Sequence, residues 1–290
     1  IFIAVGAMCD FAPLISNPKV FLFGLTAQMG IFLTMGLAMI LGFNVFEAAS
    51  IGIIGAADGP TSIYVSSRFA PHLLGPISVA AYTYMALVPL IQPPVIMAIT
   101  TKKERMIKMP PSYKVVTQRS LIMFPIIVTM IGGVIAPASI SLLGFLMFGN
   151  LLRVSGVTER LSQAAQNELA NIVTILLGFS ISATMTAEKF VNISTLAIIG
   201  MGLVAFVLDT VGGVFTAKLV NLFLPKDKKI NPMIGAAGIS AFPMSARTIQ
   251  KMGQKADPSN FLLMHAIGAN VAGQIGSVLA GGVLLAYLGG

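Results

Sequence analysis

Residues 54–68 read IGAADGPTSIYVSSR, and residues 234–247 read IGAAGISAFPMSAR. Both begin with Ile-Gly-Ala-Ala, contain a glycine with a proline nearby and end on arginine, and a single gap aligns them. Glycine and proline interrupt helical hydrogen bonding. Paired interrupted segments in two halves of a membrane protein are the best sequence indication of a midplane transport site. We therefore predict two related halves whose discontinuous helices meet near the membrane midplane. The alternative is a chance similarity between segments rich in Gly and Ala.

The composition around these stretches is that of a membrane protein. The chain has 290 residues, of which 56% are hydrophobic and 10% charged, whereas a soluble domain carries about 25% charged residues. Several apolar stretches reach the ~20 residues that a spanning helix needs. We predict an all-α polytopic membrane protein with a single membrane domain, residues 1–290. Its predicted parts are repeat 1 at about 20–149, a surface segment at about 150–170 and repeat 2 at about 171–290.

The sequence begins at Ile1 and shows no signal-peptide pattern. We therefore expect further spans before residue 1. The formal net charge of +8 comes largely from short loops, above all residues 100–119. Cytoplasmic loops of membrane proteins collect Lys and Arg, so this charge indicates topology and not nucleic-acid binding. Whether the two halves are inverted depends on whether residues 171–189 cross the membrane, and the sequence leaves that open.

Asp58 lies at the centre of the first interrupted stretch, directly before Gly59 and Pro60. An ionised Asp at the bilayer centre costs roughly 2.5–3.5 kcal/mol on insertion scales, and such residues mark ion and proton pathways. The position therefore suits a carboxyl group that exchanges H⁺ and Na⁺. The structural alternative is a cap for the half-helix that follows, and both roles are compatible.

Neutral oxygens surround the second interrupted stretch. Asn231, Ser240 and Asn270 supply side-chain oxygens, and glycines such as Gly235 free backbone carbonyls. Transporters hold bare cations with unwound carbonyls and helix ends, and one Asp among neutral oxygens favours a monovalent cation over Ca²⁺. Asn231 is alternatively an N-cap before a proline, and Asn270 is alternatively an interhelical hydrogen-bonding group.

Two further residues are candidates for chemistry. Arg247 ends the second stretch, where it is placed to hold an anion near the cytoplasmic surface. Tyr84 lies in a predicted span, where it is placed to relay a proton. For both residues the alternative is an anchor at the membrane interface.

Three long stretches carry a family resemblance. They are residues 55–94, 149–185 and 231–277, which include GAADGPTSIYVSSR, GNLLRVSGVTERLSQAAQNELAN and NPMIGAAGISAFPMSARTIQKMG. They resemble the β subunits of biotin-dependent sodium-pumping decarboxylases, the family that serves oxaloacetate, methylmalonyl-CoA and glutaconyl-CoA decarboxylases. The resemblance covers essentially the whole chain. Members of the family usually have more membrane sequence before the point that corresponds to Ile1.

The resemblance implies a mechanism and a set of partners. Carboxybiotin, formed by a carboxyltransferase α subunit and held on a biotin carrier subunit, docks on the cytoplasmic face. Its decarboxylation consumes a proton and drives Na⁺ outward. A small single-span γ or δ subunit and the lipid bilayer are further implied partners, together with homo-oligomerisation. The implied location is the cell membrane of a bacterium or archaeon.

The resemblance also implies roles for individual residues. Asp58, Tyr84 and Arg247 match catalytic positions, and Arg247 also matches a contact with carboxybiotin. The implied Na⁺ ligands are Asp58, Asn231, Gly235, Ser240 and Asn270. The competing hypothesis is a Na⁺-coupled secondary transporter of an organic anion, which would need no biotinylated partner.

Overall fold

The structure, a computed structural model, describes residues 1–110, 115–186, 192–225 and 228–289, and these residues form helices and no strand. The α-helices are α1 (Phe2–Met8), α2 (Ala12–Ser16), α3 (Phe21–Thr26), α4 (Met29–Ile40), α5 (Val45–Gly52), α6 (Gly59–Phe69), α7 (Leu74–Ile99), α8 (Lys102–Arg105), α9 (Gln118–Ile135), α10 (Ile140–Val154), α11 (Glu159–Ala164), α12 (Ala170–Thr184), α13 (Ile193–Phe223), α14 (Met233–Ala236), α15 (Met244–Ala256) and α16 (Leu263–Leu288). Short 3₁₀ segments cover Pro18–Val20, Ile53–Ala56, Pro71–Leu73 and Pro137–Ser139, and a π-helix covers Ala165–Leu169.

Six helical segments of the described residues are long and apolar enough to cross a membrane. They are Pro18–Ile40, Pro71–Ile99, Gln118–Ile135, Pro137–Val154, Ile193–Phe223 and Leu263–Leu288. The predicted all-α polytopic membrane fold is confirmed. The last of these segments is the most enclosed by protein, since 67% of its most apolar window is buried.

Residues 45–69 form a first helical hairpin. The helix α5 leads into the 3₁₀ segment, Ala57 takes a left-handed conformation with φ of 51°, and α6 returns. The two ends of the hairpin lie together, because the rings of Phe46 and Phe69 are 5.5 Å apart and Glu47 pairs with His72 at 2.9 Å. The chain therefore enters and leaves this hairpin on the same side of the molecule.

Residues 231–256 form a second helical hairpin from α14, an irregular tip and α15. Both of its ends pack on residues 100–110, which we call the basic loop. The positively charged residues of this loop are Lys102, Lys103, Arg105 and Lys108. Asn231 donates to the carbonyl of Arg105 at 2.8 Å, and Asp257 pairs with Lys108 at 3.2 Å. Hydrogen bonds from Ser259, together with the Lys108 ammonium, hold the pKa of Asp257 below its usual range. We call this side of the molecule the basic face.

The two hairpins open to opposite faces. The helix α7 starts directly after the first hairpin and ends directly before the basic loop, and its 26 residues span about 39 Å at 1.5 Å per residue. The first hairpin therefore opens on the face opposite the basic one. The tips meet between the faces, where the Ser240 N–H donates to the Ala56 carbonyl at 3.0 Å.

The helix from α11 to α12 runs from the basic face to the opposite face. Its start follows Val154, whose carbonyl accepts a hydrogen bond from Gln118 beside the basic loop. The chain beyond it reaches Asn192, which lines a cavity of about 500 Å³ with Glu47 and His72. Residues 159–184 therefore cross the molecule. Residues 111–114, 187–191, 226, 227 and 290 lie outside the described residues.

The second hairpin packs on α13 through a glycine–glycine contact. A Cβ atom on Gly213 would lie 2.1 Å from the carbonyl oxygen of Gly235, and one on Gly235 would lie 2.0 Å from that of Gly213. No side chain fits between these two backbones. Gly200, on the same helix, faces open space.

We expect Gly213→Ala to destabilise the protein by ~1–3 kcal/mol or more, because overpacking forces backbones apart. The matched change Gly200→Ala should be neutral or stabilising by up to ~1 kcal/mol, since Ala favours a helix over Gly. Thermal unfolding in detergent measures both. Equal melting temperatures for the two variants would show that the close contact does not limit stability.

Candidate functional site

The carboxylate of Asp58 lies at the tip of the first hairpin. Asp58 is the N-cap of α6, and its side chain accepts hydrogen bonds from the N–H and hydroxyl of Thr61, at 3.2 and 2.7 Å. A third hydrogen bond comes from the Ser277 hydroxyl of α16 at 2.7 Å. Asp58 is only 4% exposed, and no ion pair reaches it from the described residues. Its charge is therefore met by neutral donors and by the positive end of a helix.

A polar stripe on α16 contacts both hairpin tips. Asn270, Gln274 and Ser277 follow one another at i, i+4 and i+7, so they share one face of the helix. Asn270 donates to the Ile239 carbonyl at 2.6 Å, Gln274 donates to the Ser240 carbonyl, and Ser277 donates to Asp58. The stripe is about 10 Å long at 1.5 Å per residue.

Asn270 keeps a free oxygen at the far end of this stripe. Its Oδ1 is buried and has no hydrogen-bond partner. The hydroxyl of Ser240 donates to the Gly273 carbonyl at 2.7 Å. Glycine at position 273 permits this approach, since a Cβ there would lie 2.2 Å from the carbonyl oxygen of Gly238. The stripe and the second tip are therefore in backbone contact.

Tyr84 packs close to both tips. It is 5% exposed and lies in one buried cluster with Ala57 of the first tip and Ile239 of the second. Its hydroxyl donates to the Ile199 carbonyl of α13. The ring of Tyr82 lies against Gly59, where an added Cβ would come within 2.5 Å of it.

Asn231 lies at the basic-face end of the second hairpin. Its amide group donates to the carbonyls of Arg105 and Ile107, at 2.8 and 2.9 Å, and its Oδ1 accepts from the Met233 N–H at 3.1 Å. The Oδ1 atom retains a second lone pair. No hydrogen bond joins Asn231 to Asp58 among the described residues, so the structure does not bring these two predicted ligands into contact.

Arg247 lies on the exposed side of α15. It forms a line with Lys251 and Lys255 at i, i+4 and i+8, and all three are exposed, whereas Ser245 and Ile249 of the same helix are buried. Arg247 is near the tip and Lys255 is near the basic face. No ion pair neutralises Arg247 within the described part of the chain. We call this line of three exposed cations the basic lane, and its positive charge favours the binding of an anion.

Of the predicted residues, Asn270 lies on the polar stripe, Asp58 and Ser240 accept hydrogen bonds from it, and Tyr84 packs beside the tips. Gly235 is placed differently: its backbone packs on α13, and its carbonyl accepts from the Gly238 N–H at 3.0 Å. Sequence reasoning missed Thr61, Gln274 and Ser277. For Gln274 and Ser277 the sequence signal is their spacing of four and seven residues from Asn270. For Thr61 it is the position three residues after Asp58, where an N-cap side chain accepts a hydrogen bond.

The fold and the site define a class of protein: a polytopic helical membrane protein whose two helical hairpins enter from opposite faces and meet at a buried carboxylate. A sequence model of the family described as "Na+-transporting oxaloacetate decarboxylase beta subunit" matches residues 1–288. The chain belongs to this family, and it is a multi-pass membrane subunit of a Na⁺-transporting decarboxylase.

Curated relatives agree with this assignment. The chain is 56% identical over 290 residues to the methylmalonyl-CoA decarboxylase subunit beta of Propionigenium modestum, covering 100% of this chain and 73% of the relative. It is 55% identical over 290 residues to the glutaconyl-CoA decarboxylase subunit beta of Acidaminococcus fermentans, covering 100% and 76%. It is 53% identical over 294 residues to the oxaloacetate decarboxylase beta chain of Klebsiella pneumoniae, covering 99% and 67%.

Proposed function

We propose that this subunit receives carboxybiotin from a partner at the basic lane and couples its decarboxylation to Na⁺ transport along the polar stripe of α16. The partners are a carboxyltransferase α subunit, a biotin carrier subunit and a small single-span γ or δ subunit. The observation that carries the proposal is the position of Asp58, a buried carboxylate where two hairpins from opposite faces meet.

The two hairpins suit alternating access to one site. Their related sequences and opposite directions are those of an inverted repeat, in which the substrate site lies at the repeat interface near the membrane midplane. We assign the repeats to residues of about 20–149 and 171–290. The stripe of α16 contacts both tips, so a shift of either tip would uncover the stripe to one face.

The donor set fits Na⁺ as the transported ion. Asp58 supplies one carboxylate, and Asn270 supplies a buried oxygen that lacks a partner. Ser240 and tip carbonyls add further neutral oxygens, and such oxygens replace the water of a monovalent cation in transporters. We propose that Na⁺ moves between Asp58 and Asn270, while Asn231 presents its remaining lone pair near the basic face.

Outward movement of Na⁺ requires an energy source, because each charge costs ~2.3 kcal/mol per 100 mV. Biotin, when carboxylated on its carrier, supplies a carboxyl group whose loss as CO₂ releases that energy. The basic lane fits this group, because Lys255, Lys251 and Arg247 lead an anion from the basic face toward the tips. Arg247 binds and orients the carboxylate there with its planar pair of N–H donors.

The proton that the reaction consumes has a route through side chains of this chain. Asp58 holds either a proton or a cation, and Na⁺ binding at its carboxylate displaces the proton. We propose that Tyr84, whose ring packs beside both tips, passes the proton on to the site of decarboxylation. The coupling therefore depends on competition between H⁺ and Na⁺ for one carboxylate.

Avidin provides the direct test of this function. Vesicles containing the whole complex should take up Na⁺ when the substrate acid, which the complex decarboxylates, is added. Avidin should abolish that uptake by sequestering biotin. Avidin already saturated with free biotin is the control and should leave uptake intact. Na⁺ uptake that survives free avidin would contradict a route through carboxybiotin.

A further inference from the structure

A second buried carboxylate lies behind the first hairpin. Asp209, in the middle of α13, is fully buried, and neither of its oxygens has a hydrogen-bond partner. None of the ion pairs among the described residues includes it. The functions proposed above make no use of Asp209.

Two glycine backbones enclose this carboxylate. A Cβ on Gly30 of α4 would lie 2.4 Å from Oδ1 of Asp209, and a Cβ on Gly55 of the first hairpin would lie 2.6 Å from Oδ2. Any larger residue at either position would collide with the carboxylate. Asp209 therefore touches the hairpin three positions before Asp58, so it contacts the backbone that carries the tip.

Asp209 also faces a break in a membrane-spanning segment. The span Pro18–Ile40 is interrupted between α3 and α4, and Gln28 is the N-cap of α4. The N–H groups of Gly30 and Ile31 in the first turn of α4 approach the carboxylate of Asp209, but their geometry falls short of a full hydrogen bond. A helix N-terminus stabilises a negative charge by roughly 0.3–1 kcal/mol, and by up to ~2 kcal/mol when partly buried.

This stabilisation falls short of what a bare carboxylate needs. Removing an ion from water still costs several kcal/mol after relaxation, and an ionisable residue at membrane depth is a functional-site hypothesis by default. The carboxylate must therefore carry a proton or a cation. The N–H groups that face it repel a cation, and they offer none of the several oxygen ligands that Na⁺ would need. A proton neutralises the carboxylate and needs no further oxygen ligands.

We propose that Asp209 is a proton-binding site, distinct from Asp58, that takes up and releases one H⁺ as the first hairpin moves. This inference rests on the transport function proposed above. With the proton bound, the neutral carboxyl group packs between Gly30 and Gly55. After the proton leaves, the charge is drawn to the N–H groups at the start of α4, so that protonation of Asp209 and the position of the hairpin are linked.

Few other charged or titratable groups face Asp209. The first hairpin brings Asp58, and its α5 carries Glu47, which pairs with His72 at the opposite face. The helix α7 brings Tyr82 and Tyr84, while α3, α4 and α14 carry no ionisable side chain. On α13 itself Lys218 pairs with Glu104 at 3.1 Å.

A hydrophobic carbodiimide tests the proton directly, because it reacts with protonated carboxyl groups in apolar surroundings. The purified complex is labelled over a range of pH, and peptides are mapped by mass spectrometry. We expect an adduct at Asp209 in the wild type and in Asp58→Asn, and a yield that falls as pH rises. Absence of an adduct at Asp209 under all conditions would overturn the proposal.

Substitution separates a proton site from a structural helix cap. Asp209→Asn keeps the shape and the oxygen that can cap a helix, but it cannot exchange a proton. Na⁺ uptake should fall by about 100-fold, the lower range for loss of a proton-transferring group, whereas Thr210→Val, a buried neighbour of similar size, should behave as wild type. Wild-type uptake and an unchanged pH profile in Asp209→Asn would assign Asp209 to capping alone. If the transport function itself were wrong, Asp58→Asn would retain uptake while the labelling result still stood.

Discussion

Replacing Asp58 by Asn is expected to abolish both carboxybiotin decarboxylation and Na⁺ transport. Asn keeps the size of the side chain and still accepts from the Thr61 N–H, so the cap of α6 survives. It removes the carboxylate charge at the meeting point of the tips, and it offers Na⁺ a weaker ligand and no exchangeable proton. Uptake of ²²Na⁺ into vesicles and release of CO₂ by the same preparation measure the two activities.

A matched control lies on the same hairpin. Glu47→Gln removes a carboxylate from the end of the hairpin, where it pairs with a partly exposed histidine, and surface pairs of this kind contribute only about 0–1 kcal/mol. Both activities should remain in that variant. Na⁺ uptake at the wild-type rate in Asp58→Asn would contradict the coupling of H⁺ and Na⁺ at one carboxylate.

Replacing Arg247 by Gln is expected to lower kcat for decarboxylation by about 100- to 1,000-fold, the loss typical when one donor to a developing anion is removed. Arg247 is the cation of the basic lane that lies nearest the tips. Gln retains hydrogen bonding but not the charge that offsets the anion. Arg247→Lys should recover part of the activity, because Lys keeps the charge without the planar pair of donors.

Arg119→Gln is the matched control for this prediction. Arg119 is exposed at the start of α9, and the same substitution there removes one positive charge from the protein without touching α15. Its decarboxylation rate should equal that of the wild type. Equal losses in the two variants would assign the effect to net charge on the basic face and would remove Arg247 from the reaction.

The broad fold was predictable because its signals are local. Apolar length identifies spanning helices, and the repeated Ile-Gly-Ala-Ala with glycine and proline locates both hairpin tips. The same local chemistry singled out Asp58, since an acid inside an apolar segment is costly wherever the rest of the chain lies. Ser240 and Asn270 were predicted as Na⁺ ligands from their position beside the second tip, and the structure shows both in hydrogen bonds between α16 and that tip.

Other parts of the site depend on contacts between distant segments. Asn231 lies four residues before Gly235, yet its amide group donates to carbonyls of the basic loop. Ser277 lies in an ordinary helical sequence, and only the packing of α16 on the first hairpin makes it a partner of Asp58. Gly235 matches a Na⁺ ligand position, but its lack of a side chain also serves contact with Gly213.

By itself the sequence determined a multi-pass helical protein with two interrupted segments and a carboxylate, Asp58, at the centre of the first of them. It did so because hydropathy and helix-breaking residues act over a few turns of chain. Only the tertiary structure decided that the hairpins open to opposite faces, that α16 lines their tips and that Asp209 lacks a partner. Those features depend on which backbones can approach closely, and such approaches are set jointly by residues that lie far apart in the chain.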